Sequence, residues 1–307
     1  MPYQLVIKSY AKLNLYLRVI NKRSDNYHNL KTIFERISLA DRIILKPRKD
    51  NLIKVSCNNK AVPLDEANLC FKAAKLLRDK FAAAEGLDIN IAKHIPVGAG
   101  LGGGSGNAAA VLRGLNKLWK LKLSKAMLAK LATKIGSDVA FFVYDLPFAV
   151  GAGRGERIKP LNNLKKIKFW HILIVPDIHV STPLIYKKWD NLNKKEGAGL
   201  TKPVCDVKIL ISALAKKNSF TSAKRILGIR PAGTPLFNSL EKITIRLYPE
   251  VKRIKDTLLR LGLDCVLMSG SGPAVFAIVP SGKDALRIAK IIGNKNKGWR
   301  VFVVKTV

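Results

Sequence analysis

An α+β fold in two domains is what this sequence predicts. Its period-two apolar segments gather at the start of the chain and are followed by helical spacing, rather than alternating with it in strict order. Its last third carries strand and helix patterns in the order of a ferredoxin-like βαββαβ unit. With 307 residues the chain is long enough for two domains of ordinary size. A glycine cluster at 151–155 marks the expected boundary, giving an N-terminal domain of residues 1–155 and a C-terminal domain of residues 156–307.

Residues 5–10 and 13–19 read as strands. In the second, Leu13, Leu15, Leu17 and Val19 alternate with Lys12, Asn14, Tyr16 and Arg18, so Lys12 and Asn14 are expected on one face. The polar run 21–26 reads as a turn, after which 30–39, 42–45 and 52–57 continue as short strands. Helical spacing first appears at Leu69, Ala73, Leu76 and Leu77, which predicts a helix over 67–81. A strand at 87–91 enters the glycine-rich stretch, and helices follow at 105–119 and 124–133, the second with Ser124 as its N-cap. Beyond the boundary, 169–175 reads as a strand and 183–189 and 207–215 as short helices. A helix at 249–261, strands at 266–269 and 274–279, a helix at 283–292 and a strand at 300–305 complete the βαββαβ order.

Lysine and arginine number 55 against 21 aspartates and glutamates, a formal net charge of +34. Such a field attracts polyphosphates and, without specificity, nucleic acid. The positive residues are scattered through both halves with few aromatics among them, which excludes the compact stripe of a dedicated nucleic-acid binder. A lysine-rich host proteome is the simple cause of the excess. The four cysteines, at 57, 70, 205 and 265, have no zinc or disulfide-framework spacing and read as core residues of a reducing compartment. No metal site is signalled. The first strand begins too early for a cleavable leader, and the apolar stretches 97–112 and 265–280 are broken by Gly, Ser or Pro. A cytoplasmic protein without membrane attachment is expected, its oligomeric state unread.

The chemistry centres on Pro96, Val97, Gly98, Ala99, Gly100, Leu101, Gly102, Gly103, Gly104, Ser105 and Gly106, where six glycines fall within nine residues and run into Asn107-Ala-Ala. Glycines let successive amides converge on an anion, and the helix that follows adds unpaired N–H groups and a partial positive charge. The pattern Gly98-x-Gly100-x-x-Gly103 matches the dinucleotide fingerprint, but that fold needs an acid about 20 residues on. None occurs between Ile89 and Ser137. A P-loop needs Lys then Ser or Thr after its last glycine, and this loop has neither. The acid-free window instead holds His94, Arg113 and seven lysines. Asp138 is the first acid after it, and a carboxylate beside bound phosphates suits a base for a nucleophilic hydroxyl. Its simplest alternative is a helix cap. Lys12 stands out as a lysine on an apolar strand. Beside Asp138 it would orient the substrate hydroxyl and offset charge on a moving phosphoryl group, whereas alone it would read as an edge-strand lysine.

Together these motifs resemble the kinase superfamily named for galactokinase, homoserine kinase, mevalonate kinase and phosphomevalonate kinase, the GHMP kinases. The resemblance is carried by Ala11-Lys-Leu-Asn-Leu15, Asn26-Tyr-His28, Gly100-Leu-Gly-Gly-Gly-Ser105, Gly136-Ser-Asp138, Gly153-Arg-Gly-Glu156 and Ser269-Gly-Ser-Gly-Pro273. They span nearly the whole chain and most resemble the members acting on 4-diphosphocytidyl-2-C-methyl-D-erythritol. The resemblance implies a two-domain GHMP-kinase-like architecture and transfer of the ATP γ-phosphoryl group to that substrate's 2-hydroxyl, in the non-mevalonate route to isoprenoids. It makes Asp138 the base, Lys12 its partner and residues 96–106 the ATP loop, with Ser269–Pro273 as a second glycine turn beside the cleft. Asn14, Tyr27, His28, Thr182 and Tyr186 would line the cytidyl diphosphate pocket, where aromatic planes suit a nucleobase. Gly106 stands where the family usually has a second serine, so Mg²⁺ is expected to arrive with ATP, Ser105 being the loop's nearby hydroxyl. Two rival readings are a GHMP kinase for mevalonate or homoserine and, from a different class, a basic nucleic-acid-binding protein without catalysis.

Overall fold

The computed structural model describes residues 4–81, 85–196, 210–212, 236–293, 296 and 298–307. The helix expected at 207–215 falls outside these residues, apart from helical positions 210–212. Four layers stack in the order helices, sheet, sheet, helices.

The first sheet is built on two long strands, β1 (Leu5–Lys22) and β2 (His28–Arg48), paired antiparallel along their lengths. Each merges two expected strands into one, because Asp41 stays paired opposite Ser9 and the extra residues Ser38 and Leu39 are taken up in a β-bulge rather than a turn. The register slips between Tyr10 and Ala11, between Asn14 and Tyr16, and between Val19 and Asn21. The middle slip matters for function. Leu15 is left out of the pairing, which reverses the parity that the sequence alternation predicts. Tyr16 turns into the core with Leu13 and is buried, while Leu17 joins the face of Lys12 and Asn14.

Seven strands form this sheet. β3 (Ile53–Cys57), β4 (Gly86–Ala92), β2, β1 and β8 (Phe237–Asn238) lie in that order, and β5 (Phe148–Gly153) with β6 (Arg157–Pro160) extends it from the other half of β2. The sheet therefore runs past position 155 and takes a further strand from beyond residue 230. On one face pack α1 (Leu69–Phe81), α2 (Gly103–Leu118), α3 (Lys125–Ala132) and α4 (Val139–Tyr144). The small, buried residues Ala108, Ala109 and Ala110 let α2 lie close on the strands. Ser124 caps α3 as expected, its hydroxyl accepting from the Met127 amide at 3.2 Å.

The second sheet has the order β11-β7-β10-β9, all antiparallel, from β7 (Trp170–Pro176), β9 (Val266–Met268), β10 (Val275–Val279) and β11 (Trp299–Lys305). With α7 (Pro249–Arg260) and α8 (Gly282–Gly293) this is the ferredoxin-like unit, and α5 (Thr182–Glu196) and α6 (Glu241–Leu247) are inserted after β7. Period two settles both faces of β7. Ile172 and Ile174 pack on the helices, whereas Leu173 and Val175 fill the core between the sheets with Leu13, Ile33 and Phe276. Among the described residues no helix is long and apolar enough to cross a membrane. Cys57, Cys70 and Cys265 form no disulfide, and burial pushes the Cys70 thiol well above its ordinary pKa.

Candidate active site

The glycine loop hangs between β4 and α2, and both neighbouring layers hold it. The buried Asp41 carboxylate accepts from the His94 and Ile95 amides at 2.7 and 2.8 Å and pairs with Lys93 at 2.5 Å, fixing the way in. The Lys12 amide then donates to the Leu101 carbonyl at 3.0 Å, and the Ala274 amide to the Ala99 carbonyl at 3.3 Å. Gly98, Gly100 and Gly102 take positive φ, Gly102 as the N-cap of α2. The first bond within α2 runs from the Gly106 amide to the Gly102 carbonyl, so the amides of Gly103, Gly104 and Ser105 have no helical acceptor. The first turn of α2 contains no acid. Residues 96–105 line a cavity of about 330 Å³, closed on its other sides by residues 61–63 and 67–70, Ile91 and Lys93.

Gly106 differs from the rest of its loop. It is absent from that lining, and a Cβ there would meet the Tyr10 carbonyl at 2.8 Å and the Ser9 hydroxyl at 2.9 Å. The position faces β1 rather than the cleft. The sequence reads its missing hydroxyl as a lost phosphate or Mg²⁺ ligand, and the geometry corrects this to a close approach of helix and strand. Gly106→Ser is accordingly expected to lower the melting temperature by a few degrees and to leave the Mg²⁺ dependence of turnover unchanged. A sharpened Mg²⁺ dependence, measured by titrating the metal at fixed ATP, would contradict this placement.

Lys12 and Asp138 meet beside the loop. Lys12 Nζ lies 3.5 Å from Asp138 Oδ2 and 2.5 Å from Asn14 Oδ1, with its side chain only 5% exposed. Its stem runs along Gly102 and its ammonium lies 5.7 Å from the Phe34 ring centroid. Asp138 occupies the N-cap position of α4, yet its side chain makes no capping hydrogen bond. The helix-cap reading is thereby removed, and the carboxylate faces a second cavity of about 790 Å³. Gly100, Gly102 and Ser105 line both cavities, so the Lys12–Asp138 pair stands at their junction.

Asn14, Tyr27, His28, Thr182 and Tyr186 all line this second cavity, brought from β1, the β1–β2 turn, β2 and α5. Tyr27 is 54% exposed at the rim, beneath the Arg154 guanidinium at 4.8 Å from its ring centroid. His28 and Tyr186 are in ring contact, with centroids 4.8 Å apart. His28 Nε2 also lies 2.7 Å from Asp190 Oδ1, and Lys22 reaches the other oxygen at 3.1 Å. Burial pushes the Asp190 carboxyl up, but its hydrogen bonds and charge interactions with His28 and Lys22 together outweigh it and hold the group below its usual range. Burial, and after it the Asp138 charge, raises the Tyr186 phenol, so it stays protonated. The Thr182 hydroxyl meets that of Ser271 at 2.7 Å, joining α5 to the second glycine turn.

That turn connects β9 and β10 as a hairpin, the Ser269 amide donating to the Ala274 carbonyl at 2.9 Å. It also touches the phosphate loop. The Ser269 hydroxyl donates to the Gly100 carbonyl at 3.2 Å and accepts from the Asn14 backbone N–H at 3.2 Å. Asn238 holds it from behind, giving hydrogen bonds to the Met268 and Gly270 carbonyls at 2.8 and 2.7 Å. Sequence reasoning misses Lys22, Thr32, Arg154 and Asp190, which also line the second cavity, as does Ser271 of the expected glycine turn. Asp190 carries a usable signal, standing one helical turn after Tyr186. Arg154 and Ser271 lie inside the motifs Gly153–Glu156 and Ser269–Pro273. Among the described residues no group of three His, Cys, Asp or Glu side chains is arranged to hold a metal ion.

A glycine loop on a helix N-terminus, beside a lysine–aspartate pair that opens on a second cavity, defines a small-molecule phosphotransferase of the GHMP type. The model described as GHMP kinases N terminal domain matches residues 68–145, and the one described as GHMP kinases C terminal matches residues 210–298. The chain is 44% identical over 285 residues to a 4-diphosphocytidyl-2-C-methyl-D-erythritol kinase of Geobacillus sp. (strain WCH70), covering 93% of this chain and 91% of that one. A protein of the same name from Bacillus subtilis (strain 168) is 43% identical, with the same coverage. A crystal structure of 4-(cytidine 5'-diphospho)-2C-methyl-D-erythritol kinase superposes with a TM-score of 0.78 at 32% identity, over 98% of each chain. The chain belongs to the 4-diphosphocytidyl-2-C-methyl-D-erythritol kinase family of the GHMP kinases. It is a kinase, and it uses ATP.

Proposed function

We propose that the protein transfers the γ-phosphoryl group of ATP to the 2-hydroxyl of 4-diphosphocytidyl-2-C-methyl-D-erythritol, within the non-mevalonate route to isoprenoids. The observation that carries this reading is the position of the Lys12–Asp138 pair where the glycine-loop cavity meets a cavity lined by Tyr27, His28 and Tyr186. ATP fills the first cavity, its phosphates against the amides of residues 97–105. The cytidyl diphosphate end of the acceptor fills the second, among the aromatic rings.

Transfer is direct and in line. The acceptor oxygen forms its bond to the γ-phosphorus as the bond to the ADP oxygen breaks, and the hydroxyl proton passes to Asp138. Lys12 orients the carboxylate and the hydroxyl and balances charge developing on the phosphoryl oxygens. Ser105, which lines both cavities, is the loop hydroxyl that would help hold the magnesium brought in with ATP, and that ion would supply charge neutralisation at the phosphates. In this reading residues 1–155 supply the loop, Lys12 and Asp138, while residues 156–307 close the acceptor cavity through α5 and the second glycine turn. Substrates this highly charged suit a reaction in the cytoplasm.

ADP release with the cytidyl diphosphate acceptor, compared with mevalonate and homoserine, tests the assignment. Turnover is expected with the first alone, and cytidine diphosphate should raise the melting temperature. Preferred turnover of mevalonate or homoserine, without protection by cytidine diphosphate, would overturn it.

A further inference from the structure

Every link behind Lys12 has a fixed direction. An ammonium has donors only, so Asn14 must present Oδ1 to Lys12 Nζ, at 2.5 Å. The Asn14 Nδ2 then points at Thr32 Oγ1, 2.8 Å away. The Thr32 hydroxyl has a single proton, and it is engaged by the Tyr16 carbonyl at 2.7 Å. It can only accept from Asn14. A flipped amide would set its NH₂ against the ammonium and leave two buried groups mismatched. Thr32, Asn14 and Lys12 are 1%, 2% and 4% exposed, so water does not replace these bonds. The bulge at Leu15 sets Leu17 opposite Thr32 on β2, on the face of the cavity.

We propose that Thr32 is a positioning residue for phosphoryl transfer, acting through the Asn14 amide to aim the Lys12 ammonium at Asp138 and the reacting oxygens. The inference rests on the role given to Lys12 and Asp138 above. It adds a residue that does not touch the reacting atoms but selects one of two amide orientations, and with it one direction of the lysine.

Thr32→Val keeps the shape and removes the hydroxyl. It should lower kcat on the order of tenfold, with KM for ATP and for the cytidyl diphosphate acceptor within about twofold of wild type. Thr32→Ser should restore most of the rate. Thr32→Val placed on Asn14→Ala should cost nothing beyond Asn14→Ala alone, because the link it acts through is gone. Additive losses, failure of serine to rescue, or a raised acceptor KM at unchanged kcat would each overturn the proposal, the last by making Thr32 a substrate contact. If Thr32→Val does not fold by circular dichroism, Thr32→Ala is run through the same cycle. Failure of the underlying reading is distinguishable, since Asp138→Asn would then turn over normally whatever Thr32 does.

Discussion

Asp138→Asn is expected to lower kcat by roughly 10²- to 10⁴-fold, the range associated with loss of a general base, while ATP binds with nearly unchanged affinity. The substitution is isosteric and removes neither a loop amide nor a phosphate-facing hydroxyl. It also spares the scaffold. Asp138 makes no capping hydrogen bond to α4, and among the described residues its ion pair is to Lys12, at 3.5 Å from a partly exposed carboxylate. A structural acid would show its loss in the melting curve, and this one should show it in single-turnover phosphoryl transfer. Calorimetric titration with ATP separates the two effects. Near-normal turnover in the variant would remove Asp138 from the mechanism and leave the carboxylate at the cavity junction without a role.

Part of this site is legible in the residues alone, for reasons that differ from one position to the next. The glycine loop can be read because six glycines and the alanines after them fix both a backbone conformation and the start of a helix. Lys12 and Asp138 stand out because each breaks a local pattern, a lysine among apolar strand residues and an acid after a long acid-free stretch. The ferredoxin-like unit follows from its patterning, since β7, β9 and β10 are short apolar runs buried on both faces and its helices are amphipathic.

What stays hidden depends on single-residue slips and on contacts between distant segments. The alternation from Leu13 to Val19 runs unbroken through Leu15, so nothing in it marks the bulge that turns Leu17 toward the cleft and Tyr16 away. Asp41 looks like a strand-ending polar residue. It is a buried clamp for Lys93 and two loop amides, from partners more than fifty positions further along the chain. Gly106 shares a motif with its neighbours but faces the opposite way, because one further residue in a helix turns a side chain by about 100°. Residue type announces chemistry, whereas the side on which a residue points is decided by packing.

The second large effect falls on the contact between the two glycine turns. Gly100→Ala should lower the melting temperature by about 5 °C, corresponding to roughly 3 kcal/mol in a chain of this size, and weaken ATP binding at least on the order of tenfold. Two causes add. Gly100 has φ +75°, where a side chain costs about 1–2 kcal/mol. A Cβ there would also lie 2.4 Å from the Ser269 carbonyl and 3.0 Å from that of Gly272. Both obstacles are backbone, so no rotamer change can relieve them. Shifting the turn would in addition pull the Ser269 hydroxyl from the Asn14 backbone N–H and the Gly100 carbonyl, loosening the strand of Lys12 from the phosphate loop. Gly104→Ala is the internal control. Its Cβ would meet nothing nearer than Leu69 Cδ1 at 3.7 Å, and the position lies inside α2, where alanine is favoured by about 0.5–1 kcal/mol. The same substitution four residues apart should therefore change stability in opposite directions. Equal melting temperatures for the two variants would show that the second glycine turn does not brace the loop.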